Sequence, residues 1–166
     1  MEKYRSVKYR NEVIVARFSA RSPIRLKAVS RLAHFILKKL KFQNTVLSVI
    51  FVSDVAIKRL NRRYLKHSRV TDVLAFPFNP SSSKNLRNAR SFLGEVVIAP
   101  RQAKVNAKRF AVSFEDELAR YIAHGILHLN GLKDDSKAAQ KMMRYSEDRL
   151  LKRFDTQIRE IIQHGH

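Results

Sequence analysis

Two periodicities of apolar residues run through this chain, and their succession predicts its elements. Residues 12–19 alternate and carry β-branched side chains, which reads as a first strand. Across residues 24–40, Leu26, Val29, Leu32, Ala33, Ile36, Leu37 and Leu40 recur at helical spacing, with Ser22 as N-cap and Pro23 at the first helical position. Residues 45–52, mostly apolar, read as a buried strand. Ser53-Asp54 then opens a second helix to about Tyr64, with Ile57 and Leu60 facing inward. Residues 71–78 read as a third strand closed by proline, and residues 93–98 as a fourth. Pro100 starts a helix towards Phe110. Ser113, followed by Glu115, Asp116 and Glu117, caps the next helix with acids that suit its dipole.

That helix carries Leu118, Tyr121, Ile122, Ile126, Leu127 and Leu129, so it is apolar on most sides and should be central and buried. A last helix from Ser136 offers Met142, Met143, Leu150, Leu151, Ile158 and Ile161 to the core. Residues 79–90 are rich in Ser, Asn and Lys and read as a mobile surface loop. The flanks of this stretch are too short to be separate domains, and no internal repeat is present. The order β-α-β-α-β-β-α-α-α predicts one α/β or α+β domain over residues 1–166, with a mixed sheet of about four strands.

Composition adds charge to this picture. Lys and Arg number 34 against 14 acids, a net charge of +20, where a small domain usually carries a magnitude of about 2–8. Such self-repulsion points to a polyanionic partner, nucleic acid first and an anionic membrane surface second. The outward residues of the first two helices are basic: Arg25, Lys27, Arg31, Lys38, Lys39, then Lys58, Arg59, Arg62 and Arg63. These faces either meet RNA or are simply solvated. No apolar run approaches the roughly 18–20 residues that cross a bilayer, so no membrane association is expected. Residues 1–5 lack the apolar segment of a secretory signal, so a cytoplasmic location is expected. There is no cysteine, so a metal must be held by His, Asp or Glu.

The candidate chemistry lies in His124-Gly125-Ile-Leu-His128-Leu-Asn-Gly131-Leu-Lys-Asp134-Asp135. Histidines four apart share a helix face with Cβ atoms roughly 5–6 Å apart, so both rings can reach one metal ion. Gly131 can end the helix in a left-handed turn and return Asp134 as a third ligand, with Asp135 as the competitor. Three protein ligands leave a position open for water. The spacing is that of the metzincin peptidase signature, but Gly125 stands where that signature has its general-base Glu, which disfavours proteolysis.

At these residues the chain resembles the YbeY family of single-strand endoribonucleases. Two upstream blocks also match: Asn61-x-x-Tyr64 continuing to Thr71-Asp72-Val73-Leu74-Ala75-Phe76-Pro77, and Leu93-Gly94-Glu95-Val96-Val97-Ile98. The resemblance spans roughly residues 45–150. It implies a zincin-like α+β fold with the sheet against a metal-binding central helix. It further implies one Zn2+ per chain on His124, His128 and Asp134, the family's third histidine falling on Asp134. The implied activity is metal-dependent cleavage of single-stranded rRNA in small-subunit 3′ end maturation and ribosome quality control. The implied partners are the small ribosomal subunit or its assembly factors, with no nucleotide cofactor. The family's RNA-contacting arginine falls on Leu65, leaving Arg63, Lys66 or Arg69 to supply that charge. Asp72, which matches, and Glu95, which replaces an Asp, are the candidates to support the ligands, although Asp72 can equally cap its loop. The alternative is a non-catalytic RNA-binding assembly factor with a structural metal.

Overall fold

The computed structural model describes residues 10–18, 23–66, 70–78 and 91–162, without the side chain of Leu65. The chain forms β1 (Glu12–Arg17), α1 (Leu26–Lys39), β2 (Thr45–Phe51), α2 (Asp54–Leu65), β3 (Val73–Pro77) and β4 (Ser91–Ile98). Four helices follow, α3 (Pro100–Phe110), α4 (Phe114–Leu129), α5 (Lys137–Leu151) and α6 (Asp155–Ile158), and then a 3-10 turn, Arg159–Ile161. The strands make one mixed sheet in the order β1-β2-β4-β3, parallel except for the β3–β4 pair. This is the expected α+β domain with four strands, and β3 lies at one edge of the sheet. No helix among the described residues is long and apolar enough to cross a membrane.

The two faces of the sheet are covered unequally. Leu47, Val49, Val96 and Ile98 pack under α1 and α4, where Leu32, Ile36, Ile122 and Ile126 are fully buried. On the other face, α2 sets Ile57 against Leu74 and Val97 in a smaller cluster. α4 is the buried centre that its sequence pattern predicts.

Three local expectations are corrected. α1 starts at Leu26, not after Ser22-Pro23, and its N-cap Arg25 makes no side-chain capping bond. Ile24 instead pairs with Ile162, and the Arg25 N–H donates to the Ile161 carbonyl at 2.7 Å, so a distant segment holds this stretch extended. Ser22 lies outside the described residues, as do residues 79–90. The last helix is not continuous either. α5 ends at Leu151, and the following turn stacks Phe154 on Phe35 at 5.0 Å between ring centroids before Ile158 and Ile161 enter the core. Met142 is 59% exposed, because its neighbour Met143 takes the inward position.

α4 reaches the sheet at Gly125. A Cβ there would lie 2.3 Å from Cγ1 of Val96 on β4, a separation that side-chain atoms do not tolerate. A glycine inside a helix costs about 1 kcal/mol relative to alanine, so helix propensity alone favours replacing it. Overpacking opposes that at about 1–3 kcal/mol. Gly125→Ala should therefore lower stability by up to about 2 kcal/mol in denaturant unfolding, with Gly125→Ala/Val96→Ala less destabilised than the sum of the two single changes. An additive double variant would mean that the contact does not limit the packing.

Candidate metal centre

The helix that carries both histidines is fixed at each end by its own sequence. The Ser113 hydroxyl oxygen accepts the Asp116 N–H at the N-terminus, with acids filling the first turn. At the C-terminus, the Gly131 N–H donates to the His128 carbonyl and the Leu132 N–H to the Leu127 carbonyl. That is the Schellman pair, and it requires the left-handed φ of 93° that Gly131 adopts. The turn reverses the chain and carries Asp134 back towards the histidines.

His124 Nε2 and His128 Nε2 lie 2.9 Å apart, and Asp134 Oδ2 is 3.7 Å from the first and 3.5 Å from the second. Each outer ring nitrogen is taken. His124 Nδ1 lies 2.8 Å from Glu147 Oε1, and His128 Nδ1 lies 2.8 Å from the Leu132 carbonyl. A carbonyl and a carboxylate only accept, so each Nδ1 carries a proton and each ring turns its Nε2 towards the other ring and Asp134 Oδ2. Three potential donor atoms that face one point in this way form a set that a cation can bridge. Tetrahedral zinc with bonds of about 2.0–2.1 Å would separate its donors by roughly 3.3 Å. The three observed separations straddle that value, so the donor set fits a metal. Asp135 is exposed and does not join this group.

Glu147 on α5 is buried, and its second oxygen accepts from Arg120 Nη1 at 2.8 Å. Burial alone would raise its carboxyl pKa. The hydrogen bonds from His124 and Arg120 outweigh that and hold the carboxyl below its ordinary value. The imidazole side chains remain 22% and 27% exposed, so the centre is open to solutes. It lies between two clefts. One, of about 310 Å³, reaches Asn106, Glu117 and Tyr121, and the other, of about 500 Å³, runs between β3 and residues 131–134. In the first cleft, Asn106 donates to the Tyr121 hydroxyl at 2.6 Å, and burial pushes the Glu117 carboxyl above its usual range.

The remaining candidates divide. Asp72 borders both clefts, but its Oδ1 accepts from the Val73 N–H and the Thr71 hydroxyl, which is the loop-capping geometry. Glu95 does not reach the histidines. Strand alternation sets it on the face of β4 shared with Val97, opposite Val96 and α4. The support that resemblance gave to Asp72 and Glu95 is supplied by Glu147 and the Leu132 carbonyl. Arg63 and Lys66 are exposed at the end of α2, and the neighbouring Tyr64 packs on Phe76 of β3 at 5.2 Å between centroids. Arg69 lies outside the described residues.

Residues 17–155 match the family model for the endoribonuclease YbeY. The chain belongs to the YbeY endoribonuclease family. An endoribonuclease YbeY from Treponema denticola is 35% identical over 117 residues, 70% of this chain and 76% of that protein. One from Thermodesulfovibrio yellowstonii is 39% identical over 107 residues, 64% of this chain and 65% of that protein. A Thermotoga maritima protein solved in solution shares the fold with a TM-score of 0.56 and 24% identity, covering 93% of this chain and 99% of that one.

Within the YbeY framework, Glu147 is the residue that sequence reasoning missed. Its signal was present. It falls on the buried stripe Met143, Glu147, Leu150 and Leu151, and an acid on a core stripe needs a partner. Glu147→Gln keeps an acceptor for His124 Nδ1 but removes the charge. It should weaken metal affinity about 10–100-fold by competition with a chelator while the fold persists. Unchanged affinity would mean that Glu147 only anchors α5 through Arg120.

Proposed function

We propose that this protein is a zinc-dependent single-strand endoribonuclease that acts in rRNA processing. Its place in that reading is small-subunit 3′ end maturation and ribosome quality control in the cytoplasm, alongside the small ribosomal subunit or its assembly factors. The observation that carries the proposal is the convergence of His124 Nε2, His128 Nε2 and Asp134 Oδ2 in an open trough of a +20 chain from the YbeY family.

On this reading, His124, His128 and Asp134 hold the zinc ion, and Glu147 and the Leu132 carbonyl keep both imidazoles in the tautomer that presents Nε2. The ion supplies Lewis-acid stabilisation of charge developing on a phosphoryl oxygen, and activation of water. Arg63 and Lys66, exposed at the end of α2, would offer cations to the substrate backbone. Lys133 borders the same trough. The peptidase reading has a physical obstacle beyond the missing Glu, since a Cβ at residue 125 would lie 2.3 Å from Val96 Cγ1 and a longer side chain there would force the helix and sheet apart.

A non-catalytic RNA-binding factor with a structural metal is separated from the nuclease by one experiment. Single-stranded RNA is incubated with metal-loaded protein, with chelated protein and with His128→Ala. The proposal expects cleavage by the first alone, and RNA binding that weakens steeply between about 50 and 200 mM salt. Binding without metal-dependent cleavage would transfer the protein to the second reading. A flat salt response would remove phosphate contacts as the source of affinity.

A further inference from the structure

Behind the 130–132 turn, on the side away from His124, a second groove of about 350 Å³ opens between the ends of α1 and α4 and the outer face of α5. Its floor is apolar, with Leu127 and Leu132, and its rim carries Lys39, Arg149 and Arg153. No carboxylate among the described residues lines it. Among the described residues none of the three cations forms a salt bridge, whereas Arg31 pairs with Glu160, Arg101 with Asp54, and Arg120 with Glu147 and Asp148. Lys39 Nζ lies 5.4 Å from the Phe35 ring centroid, which places the charge without neutralising it. Tyr145, 62% exposed, stands on the same wall, one helical turn from Arg149.

Unpaired cations around an apolar floor, with an exposed ring beside them, suit a polyanion whose units also stack. Single-stranded nucleic acid has that chemistry, with phosphates for the cations and base faces for the ring. Leu132 borders both this groove and the metal trough, so the two lie on either side of one residue. We infer that this groove is a second RNA subsite, which holds the nucleotides flanking the phosphate at the metal centre after the strand crosses Leu132. The inference rests on the nuclease reading and adds a length requirement to it.

The test compares a trinucleotide, too short to reach both places, with a dodecanucleotide of single-stranded RNA. Metal-loaded wild type, Arg149→Gln/Arg153→Gln and Tyr145→Ala are assayed for kcat and KM, with metal content measured in each. The inference expects KM for the dodecanucleotide to rise on the order of tenfold in the double variant and several-fold in Tyr145→Ala, with kcat, metal content and the trinucleotide KM unchanged. The salt dependence of the dodecanucleotide KM should also fall in the double variant, by about 1.4 in log–log slope for two phosphates lost at about 0.7 each. If wild type cuts the dodecanucleotide and the variants match it, the groove does not bind RNA and its cations serve another partner. Equal rises for both lengths would overturn the subsite as well. A wild type that cuts neither RNA removes the nuclease reading, and this inference with it.

Discussion

The close approach of α4 to β4 at Gly125 sets the geometry of everything functional in this molecule. Residue 125 sits between the two histidines, and its missing side chain lets the helix rest directly on Val96. A helix held off by even a methyl group would shift both imidazoles relative to β3, which walls the trough, and to α5, which brings Glu147. Protein interiors transmit such displacements because they are packed as densely as crystals. A position that looks like a lost general base in the sequence is therefore, in three dimensions, the contact that places the metal donors.

Electrostatics gathers four of the acids at one cleft of an otherwise basic protein. Acids are scarce, 14 against 34 basic residues, yet Asp72, Glu117, Asp134 and Glu147 all border one cleft beside the histidines. Their environments differ. Glu147 is held ionised by His124 and Arg120 despite its burial, while burial pushes Glu117 the other way. The first is thereby suited to orient an imidazole, and the second is biased towards the protonated form. Two carboxyls at one cleft with pKa values moved in opposite directions form a division of labour that net charge does not reveal.

The elements and their order were legible because each carries local signals. Alternation marked β1, Ser53 and Ser113 marked the starts of α2 and α4, and Gly131 marked the end of α4. The metal donors were legible because the i, i+4 histidine pair and the glycine stop are also local. What failed to show depends on partners distant in sequence. Ile24 is kept out of α1 by Ile162, and Phe154 breaks the last helix to pack on Phe35. Glu147 lies between the two cases, since its place on an apolar stripe was visible but its partner 23 residues away was not.

An aspartate among the donors changes how an anionic substrate must be held. Two neutral imidazoles and one carboxylate leave a bound dication with a single net positive charge, where three imidazoles would leave two. The centre then attracts a phosphodiester less strongly by itself, and more of the binding has to come from cations elsewhere. The chain has cations to offer: Arg63 and Lys66 are exposed at the end of α2, and Lys39, Arg149 and Arg153 rim the groove beyond the 130–132 turn. On the proposed reading, the +20 charge and the Asp134 ligand are two parts of one arrangement, in which the metal centre supplies chemistry and the basic surface supplies affinity.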